Sequence, residues 1–413
     1  MRNIIILNFI FCFHIFLVFP CKAIDIVDLK KGISVHPGGT CQFDYRNISN
    51  AARADSRFDI RRARLNVQGH ISPKMKYKLE CEFQGNETRK LIDAYGEYQF
   101  YPSIKIQFGQ FKVPFSREWL TSDKAFPFSE RSIGFSLQAG RDIGVMLVGN
   151  CLNNFFSYNI GAFNGDGIDG SSRGNQKDDP EVALRCVIQP FSLTKIPFLT
   201  NFFSGISLTE GRIDLNNISL NVKSTGMIGT QRSLYSLNAN TKFGALLDVN
   251  KRQRMCFESG LFYGPVAFYF EHQRFRYVEL RPVRGNACNA NFYSWYTSMV
   301  INLTGESINI NKPYLTLKNT IKRQLSTIWQ IAIRREHFSG DSHWIIKNSY
   351  NAAKEAEAYS LALNWLWDSQ YRFLIDYSYT DISDPLRIRI NPDGSIEYMK
   401  SETSLTFRFQ INF

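Results

Sequence analysis

The chain has 413 residues, of which 44% are hydrophobic and 14% aromatic, and it carries a formal net charge of +12 at pH 7. Beyond the N-terminal residues, no stretch approaches the roughly eighteen apolar residues that predict a transmembrane helix, which excludes a helical membrane protein. A basic surplus suits nucleic acid, an anionic membrane or an anionic solute. Because an export signal is present and no basic helix is clustered, nucleic acid is not an expected partner.

Residues 1–23 have the features of a secretory signal peptide. Arg2 supplies a positive charge, residues 4–19 are almost wholly apolar, and Cys21-Lys22-Ala23 closes the segment, which predicts cleavage after Ala23. An uncleaved membrane anchor is the alternative. Removal of Arg2 and Lys22 with this segment would leave a net charge of 12 − 2 = +10.

Residues 24–40 are expected to form an N-terminal preface that includes a turn at residues 36–39, which read His-Pro-Gly-Gly. The main domain then covers residues 41–413, and no further boundary is visible. Glycine, asparagine, aspartate and proline content predicts long loops. They are placed at Asn164–Asp179, Ile213–Ser233, Glu279–Asn291 and Asp381–Lys400.

The cysteines that remain after the signal peptide are widely scattered. They include no C-x-x-C pair and no zinc-ligand spacing, and their pairing cannot be chosen from sequence. Mostly free thiols are expected, because two of them fall on apolar strand faces. The six residues are Cys41, Cys81, Cys151, Cys186, Cys256 and Cys288.

Segments in which apolar and polar residues alternate recur along the chain. In Lys74–Gln84 one face would carry Met, Tyr, Leu, Cys and Phe, and the other Lys, Glu and Gln. Leu91–Tyr101 and Ser103–Phe111 follow the same rule, and so do residues 404–413 at the C-terminus. A period of two over about ten residues predicts β-strands and not helices.

Three features favour a transmembrane β-barrel over a soluble β-sandwich. The apolar faces end in aromatic residues, the polar faces carry charges that a packed core does not need, and the chain ends on a strand that closes in Phe413. Membrane barrels have such alternating segments of about ten residues. A mature length of 413 − 23 = 390 residues accommodates about sixteen antiparallel strands. The predicted fold class is therefore all-β.

The stretch Gly109–Val145 interrupts this alternation for about thirty residues, and loops of that length are uncommon unless functional. It contains many aromatic residues, which argues against a mobile surface loop. We expect it to fold into the barrel and to narrow the pore over about residues 112–140. The aromatic residues are Phe111, Phe115, Trp119, Phe126, Phe128 and Phe135.

The basic run Arg61-Arg62-Ala63-Arg64 falls where the alternation changes phase. Phe58 and Ile60 are apolar on one parity and Ala63 starts an apolar face on the other, which predicts a β-bulge between them. The bulge would let both Arg61 and Arg62 approach the lumen, and Arg64 would follow them. The alternative is that these arginines reach out to the membrane edge; the lumen is favoured, because a lipid-facing guanidinium costs about 2–4 kcal/mol at mid-depth.

The next strand would extend this basic wall with Lys74, Lys76 and Lys78. Asp93 and Glu97 on the strand after it would face these lysines. The same residues could therefore form a neutralised ladder of salt bridges, and both interpretations stay open.

A series of short motifs resembles the phosphate-selective porins of the O/P family. In chain order these are FDIRRARLNVQG, MKYKLECEF, DAYGEYQF, FGQFKVPFSREWLTS, FSERS, AGRDIGV, FNGDG, LTGES and LALNWLW. The resemblance spans residues 40–413. It implies a sixteen-stranded, trimeric barrel in the bacterial outer membrane that conducts anions past a constriction on the third loop.

The resemblance also implies a set of pore-lining residues. The family's arginine pair, inward lysine and opposing acid match Arg61, Arg62, Lys76 and Asp93, and its loop serine, lysine and arginine match Ser122, Lys124 and Arg131. Three positions depart from the pattern. Trp119 stands where the family has a constriction lysine, Asp123 replaces a serine, and Thr40 replaces an arginine.

The predicted function is a passive, water-filled channel that prefers anions such as phosphate and polyphosphate and uses no cofactor or metal. The expected partners are small anionic solutes, the lipid bilayer and two further copies of the chain. A non-selective diffusion porin and a structural or adhesive barrel are the alternatives. The chain is not expected to be an enzyme: His337, Ser339 and Asp341 are catalytic residue types, but sequence neighbours in a loop are poor evidence for a triad.

Overall fold

The computed structural model describes most of the chain. The described residues are 26–28, 32–49, 56–84, 90–152, 154–165, 167, 179–194, 196, 198–213, 220–225, 233–237, 241–308, 327–345, 352–367, 370–390 and 392–413. The expected signal peptide, residues 1–23, lies outside them. None of the helices in the described ranges has the length and apolarity needed to cross a membrane.

Within the described residues, sixteen antiparallel strands close into a barrel. They are β1 Ile33–Ile48, β2 Ser56–Ser72, β3 Met75–Glu82, β4 Leu91–Tyr101, β5 Ile104–Lys112, β6 Arg141–Cys151, β7 Phe156–Phe163, β8 Glu181–Ile188, β9 Phe202–Gly211, β10 Lys251–Tyr263, β11 Val266–Pro282, β12 Cys288–Asn302, β13 Thr327–Ser339, β14 Glu355–Trp367, β15 Tyr371–Ile390 and β16 Ile396–Asn412. Each strand pairs with the next, and β16 returns to pair with β1 from Thr40 opposite Asn412 to Ile48 opposite Ser404. The predicted fold class is confirmed.

The alternation in the sequence separates two faces of this barrel. Leu79, Phe108 and Phe407 are 49%, 41% and 42% exposed on the outside, whereas Glu80 and Asp93 point inward and are buried. An apolar exterior is required because lipid cannot solvate charge, and closure leaves no strand edge unpaired. Tight turns join β2 to β3, β4 to β5 and β10 to β11 at the end where the chain terminates. In bacterial barrels this end faces the periplasm.

The first strand starts earlier than predicted. It begins at Ile33 and continues through residues 36–39, so the turn predicted there is wrong and the barrel includes part of the expected preface. Gly39 instead takes part in closing the barrel, because its N–H donates to the carbonyl of Phe413 over 2.8 Å. A Cβ atom on Gly39 would lie 2.2 Å from the Phe413 ring, so no larger residue fits beside the C-terminus.

The third loop, L3 (residues 113–140), crosses the lumen, as predicted. It contains the short helix α1, Arg117–Leu120, and 3-10 turns at Asp123–Ala125 and Ile133–Leu137. Its aromatic residues Phe115 and Phe128 are fully buried between the loop and the wall. Burial of two such side chains explains why this long segment holds one conformation inside the barrel.

A second segment also packs inside the extracellular half of the barrel. The strands Leu220–Val222 and Tyr235–Leu237 form a small hairpin, which lies in one apolar cluster with Ile133 and Leu137 of L3. The prediction of a turn-rich, unpacked loop at Ile213–Ser233 is therefore wrong where the structure describes it.

The predicted loop at Asp381–Lys400 is also wrong in large part. Strand β15 continues to Ile390 and β16 begins at Ile396, so most of the segment is paired strand that extends beyond the membrane. Register shifts after Asp381 accommodate the proline in this ladder.

The six cysteines expected after the signal peptide all lie in the described residues, and all six are free thiols.

Candidate functional site

The predicted bulge lies on β2 and its extra residue is Arg61. Gln42 of β1 pairs with Arg62, and the next residue, Phe43, pairs with Ile60. The skipped Arg61 and its neighbour Arg62 both direct their guanidinium groups into the barrel, toward L3. The preference for the lumen over the membrane edge is therefore correct.

Arg61 does not face open solvent, because it binds a carboxylate of L3. Its Nε and Nη2 atoms donate to the two oxygens of Glu130 at 2.6 and 3.0 Å. Arg46 of β1 donates to the same carboxylate over 2.6 Å, and Arg408 of β16 lies 3.7 Å away. Burial opposes ionisation of Glu130, but Arg61 and Arg46 outweigh it and hold its pKa below the usual range.

Asp123 of L3 is the acceptor for three further arginines. The distances to its carboxylate oxygens are 3.3 Å from Arg62, 2.6 Å from Arg64 and 2.8 Å from Arg131. Burial alone would raise the pKa of Asp123, but Arg62, Arg131 and Arg64 hold it well below the ordinary value. The residue that departs from the family pattern thus fastens L3 to β2.

The remaining wall cations are largely paired as well. Lys78 lies 2.8 Å from Asp93 and 2.5 Å from Glu80, and Asp93 also accepts from Arg141 over 2.7 Å. Lys76, the predicted inward lysine, is half-exposed and lies 4.0 Å from Glu97. The ladder of salt bridges is the arrangement seen on this wall. Lys78 and Arg141, and not Lys76, are the cations closest to Asp93.

Acidic residues on the far side of the barrel hold the backbone of L3. Carboxylate oxygens accept from main-chain N–H groups at distances of 2.6 to 2.7 Å. The pairs are Glu258 with Arg117, Glu271 with Glu118, Asp376 with Ser129 and Glu336 with Ile133. L3 is thus attached both to β2 and to this far wall, and the space that remains open lies between L3 and the inner faces of β2 to β7.

Trp119, which stands in place of the expected lysine, is buried against cations. Lys112 Nζ lies 4.7 Å from its ring centroid and donates to its carbonyl over 2.6 Å, and Arg141 lies 5.5 Å from the same ring. These are cation–π distances. Lys112 therefore places its side-chain nitrogen beside position 119. Sequence reasoning missed it because strict alternation puts Lys112 on the lipid face with Phe108.

Ser122 and Lys124 lie at the tip of L3. The Ser122 hydroxyl accepts from the Lys124 backbone N–H over 3.4 Å and caps the short turn. Lys124 Nζ donates to the carbonyl of Gly39 over 3.1 Å. Burial lowers the pKa of this ammonium group from its usual value, although Glu80 nearby acts in the opposite direction.

A cavity of about 510 Å³ lies between L3 and the wall. Its lining includes Arg64, Asp93, Ser122, Asp123 and Lys124 among the predicted residues. Arg61, Arg62, Lys76, Trp119 and Arg131 are not part of the lining and instead surround or support it. The lining has five cations and four carboxylates: Arg64, Lys78, Lys112, Lys124 and Arg141 against Glu80, Asp93, Glu97 and Asp123.

The closed barrel, the apolar exterior and the charged lumen narrowed by an inward loop define an outer-membrane porin. The model of the family "Phosphate-selective porin O and P" matches residues 35–413. The chain therefore belongs to this family.

Solved outer-membrane proteins share the fold at low sequence identity. OmpT of Vibrio cholerae aligns with a TM-score of 0.54 and 10% identity, covering 94% of this chain and 99% of its own. The anion-selective porin from Comamonas acidovorans gives 0.54 and 11%, with 92% and 100% covered. The outer-membrane channel DcaP of Acinetobacter baumannii gives 0.53 and 11%, with 94% and 99% covered. No curated protein matches the sequence.

Proposed function

We propose that the channel prefers anions and passes small solutes of the phosphate type along the wall of β2 to β7. One observation carries this proposal. The cavity has one more cation than carboxylate, and two of its lysines, Lys112 and Lys124, contact only backbone carbonyls and the Trp119 ring. Within the described residues, neither ammonium group lies within salt-bridge distance of a carboxylate.

The arginines and lysines then have different tasks. Arg61, Arg62 and Arg131 are engaged by the acids of L3, so they hold the constriction in place. Lys112 and Lys124 have no carboxylate partner among the described residues, so an entering dehydrated anion can pair with Lys124 and favours the charged form of the buried Lys112 amine. A lysine acts on phosphate oxygens as a point charge. Two such sites in series bind weakly enough to release each ion to the next.

The passage is passive and needs no nucleotide, metal or cofactor, and the proposal includes no catalytic step. Export by the segment 1–23, insertion in the lipid bilayer and assembly as a homotrimer belong to the same proposal. A related structure of OmpT from Vibrio cholerae is described in a trimer form. Family membership supports this assembly.

Planar-bilayer recording of the refolded protein tests the proposal. In a KCl gradient, we expect a reversal potential whose sign indicates preference for anions. We also expect millimolar phosphate to reduce the chloride current. In K112Q/K124Q this phosphate block should weaken about tenfold, since two charge contacts contribute about 1–2 kcal/mol together. The control K354Q/K400Q removes the same charge from exposed positions and should leave the block unchanged.

A non-selective diffusion porin is the second candidate, and the near balance of five cations and four carboxylates favours it. It predicts channels of similar conductance with no phosphate block and a small reversal potential. Cation preference would overturn the anion proposal, and an absence of channels would overturn both.

A further inference from the structure

Two arginines lie on the outside of the barrel on strand β11. Along this strand even-numbered residues face outward: Phe268 and Phe270 are exposed, whereas Glu271 and Gln273 are buried in the lumen. Arg274 and Arg276 continue the outward face toward the extracellular end. Neither has a role in the lumen described above.

Their height places them at the edge of the membrane. Arg276 follows the strand's first residue, Val266, by 276 − 266 = 10 positions. At about 3.4 Å per residue and a tilt of about 40°, this distance is about 26 Å along the membrane normal. Because the apolar band of such barrels is about 25 Å tall, the guanidinium group of Arg276 lies at the level of the outer-leaflet head groups, and Arg274 lies about 5 Å below it.

An apolar groove lies beside these arginines. It has a volume of about 460 Å³ and crosses the outer faces of β8 to β11. Its apolar lining includes Val182, Leu184, Leu208 and Met255, and Arg274 and Arg276 stand at its rim. The shape suits a hydrocarbon chain whose charged head lies beside the arginines.

The two arginines differ from the neighbouring outward cations in their partners. Lys251 binds Glu210 over 2.6 Å and Arg335 binds Glu357 over 3.2 Å. Arg274 donates to the amide oxygen of Asn291 over 3.3 Å and lies 5.5 Å from the Tyr293 ring.

Arg276 has fewer polar partners than Arg274 within the described residues. Within the described residues it forms no ion pair, and its buried Nε has no acceptor. Arginines at a membrane edge commonly keep the guanidinium group in water. That arrangement accounts neither for the adjoining groove nor for a buried N–H group without a partner.

We propose that this groove binds a phosphorylated, acylated lipid of the outer leaflet. One acyl chain would lie against Val182, Leu184, Leu208 and Met255, and a phosphate would accept hydrogen bonds from Arg274 and Arg276. Arginine suits this task because its planar fork matches phosphate oxygens. Glu210, also at the rim, is occupied by Lys251 and Gln253, so it does not oppose the phosphate. The proposal does not depend on which solute the channel conducts.

Native mass spectrometry of delipidated protein with added bisphosphorylated lipid A tests this site. The wild-type protein should retain bound lipid, and R274Q/R276Q should weaken binding about tenfold through loss of charged hydrogen bonds. The control R335Q/K354Q removes two exposed cations that already have acidic partners and do not line the groove, and should bind like wild type. A neutral lipid with the same chain length should bind weakly to all three proteins.

Three outcomes would overturn the proposal. Equal retention by wild type and R274Q/R276Q would show that the arginines bind no phosphate. Equal loss in both double variants would indicate general interfacial charge and not a site. A change of oligomeric state in lipid-free R274Q/R276Q would assign the groove to a second copy of the chain. A heat-dependent shift in gel mobility confirms that each variant is folded before binding is measured.

Discussion

At the scale of single residues, two of the three departures from the family pattern are compensated nearby. Trp119 removes an expected lysine, but Lys112 lies over its ring and places another lysine side chain beside the loop. Asp123 replaces a serine and adds negative charge, yet Arg62, Arg64 and Arg131 surround it. A count of charges along the motif would therefore misjudge the lumen. The contacts show which cations are left for a solute.

Lys124 makes the anion preference sensitive to alkaline pH. Burial lowers the pKa of its ammonium group, so it loses its charge at a lower pH than an exposed lysine does. The anion preference is therefore present at neutral pH and declines as the pH rises through that pKa. Reversal potentials recorded from pH 7 to pH 10 should show this decline in wild type.

The substitution Lys124→Arg separates this effect from other titrations. A guanidinium stays protonated across the whole range, so K124R should keep its anion preference at pH 10. An identical decline in K124R and wild type would assign the alkaline loss to another group, such as Lys112. At pH 7, K124Q should show a weaker anion preference than wild type. Its preference should not decline through a titration at residue 124.

At the scale of elements, strands and bulge could be predicted because their signals are local. A period of two identifies each strand, and the phase change between Ile60 and Ala63 identifies the bulge at Arg61. The inward course of L3 followed from its length and aromatic content. The residues that L3 binds could not be predicted in this way, because they are distant in sequence and each is only one polar residue of an alternating strand. These residues are Glu258, Glu271, Glu336 and Asp376.

The hairpin of Leu220–Val222 and Tyr235–Leu237 was missed for a related reason. Its strands have three residues each, too few for a periodic signal, and they are surrounded by turn-forming residues. Their apolar side chains pack against Ile133 and Leu137 of L3 and against Phe292 and Phe338 of the barrel wall. Tertiary burial, which a local pattern does not contain, decides their structure.

L3 should keep its position at mildly acidic pH. Asp123 and Glu130 have pKa values below the usual range, and such groups contribute stability that is complete above their unfolded pKa of about 4. This stability is lost only as the pH falls through the lowered folded values. Single-channel conductance should therefore be the same at pH 7 and pH 5.

D123N/E130Q tests the same attachment at neutral pH. Loss of one partner from a buried ion pair costs about 3–5 kcal/mol, so L3 should move and the current should become noisy at pH 7. The exposed pair D381N/E355Q is the matched control and should conduct like wild type. If wild-type conductance already changes between pH 7 and pH 5, the strand carboxylates that hold the L3 backbone, and not Asp123 and Glu130, set the acid response.

At the scale of the whole molecule, closure brings together residues that the sequence places at opposite ends. Gln42 accepts from Arg62 over 2.8 Å and donates to Gln410 over 2.8 Å, while Asp44 binds both Arg46 and Arg408. The seam between β1 and β16 is thus a buried polar network, and L3 attaches to it through Glu130. Constriction and barrel closure therefore depend on the same residues.

Gly39 should be a requirement for that closure. A Cβ atom there would lie 2.2 Å from the Phe413 ring and 2.8 Å from the carbonyl of Arg64, which belongs to paired strand backbone. We expect Gly39→Ala to destabilise the barrel by about 1–3 kcal/mol, as overpacking does. Unfolding temperature, followed by heat-dependent gel mobility, measures the loss.

Gly38→Ala is the matched control, because its added Cβ would meet the Phe413 carbonyl at 3.1 Å and the Asn66 side chain at 3.3 Å, which are tight but tolerable contacts. It should unfold close to wild type. If Gly39→Ala is equally stable, the Phe413 ring must be able to leave its place against β1, and the glycine would then have no part in closing the barrel. A loss confined to Gly39→Ala would show that the C-terminal strand docks through ring-to-backbone contact, which only a residue without a side chain permits.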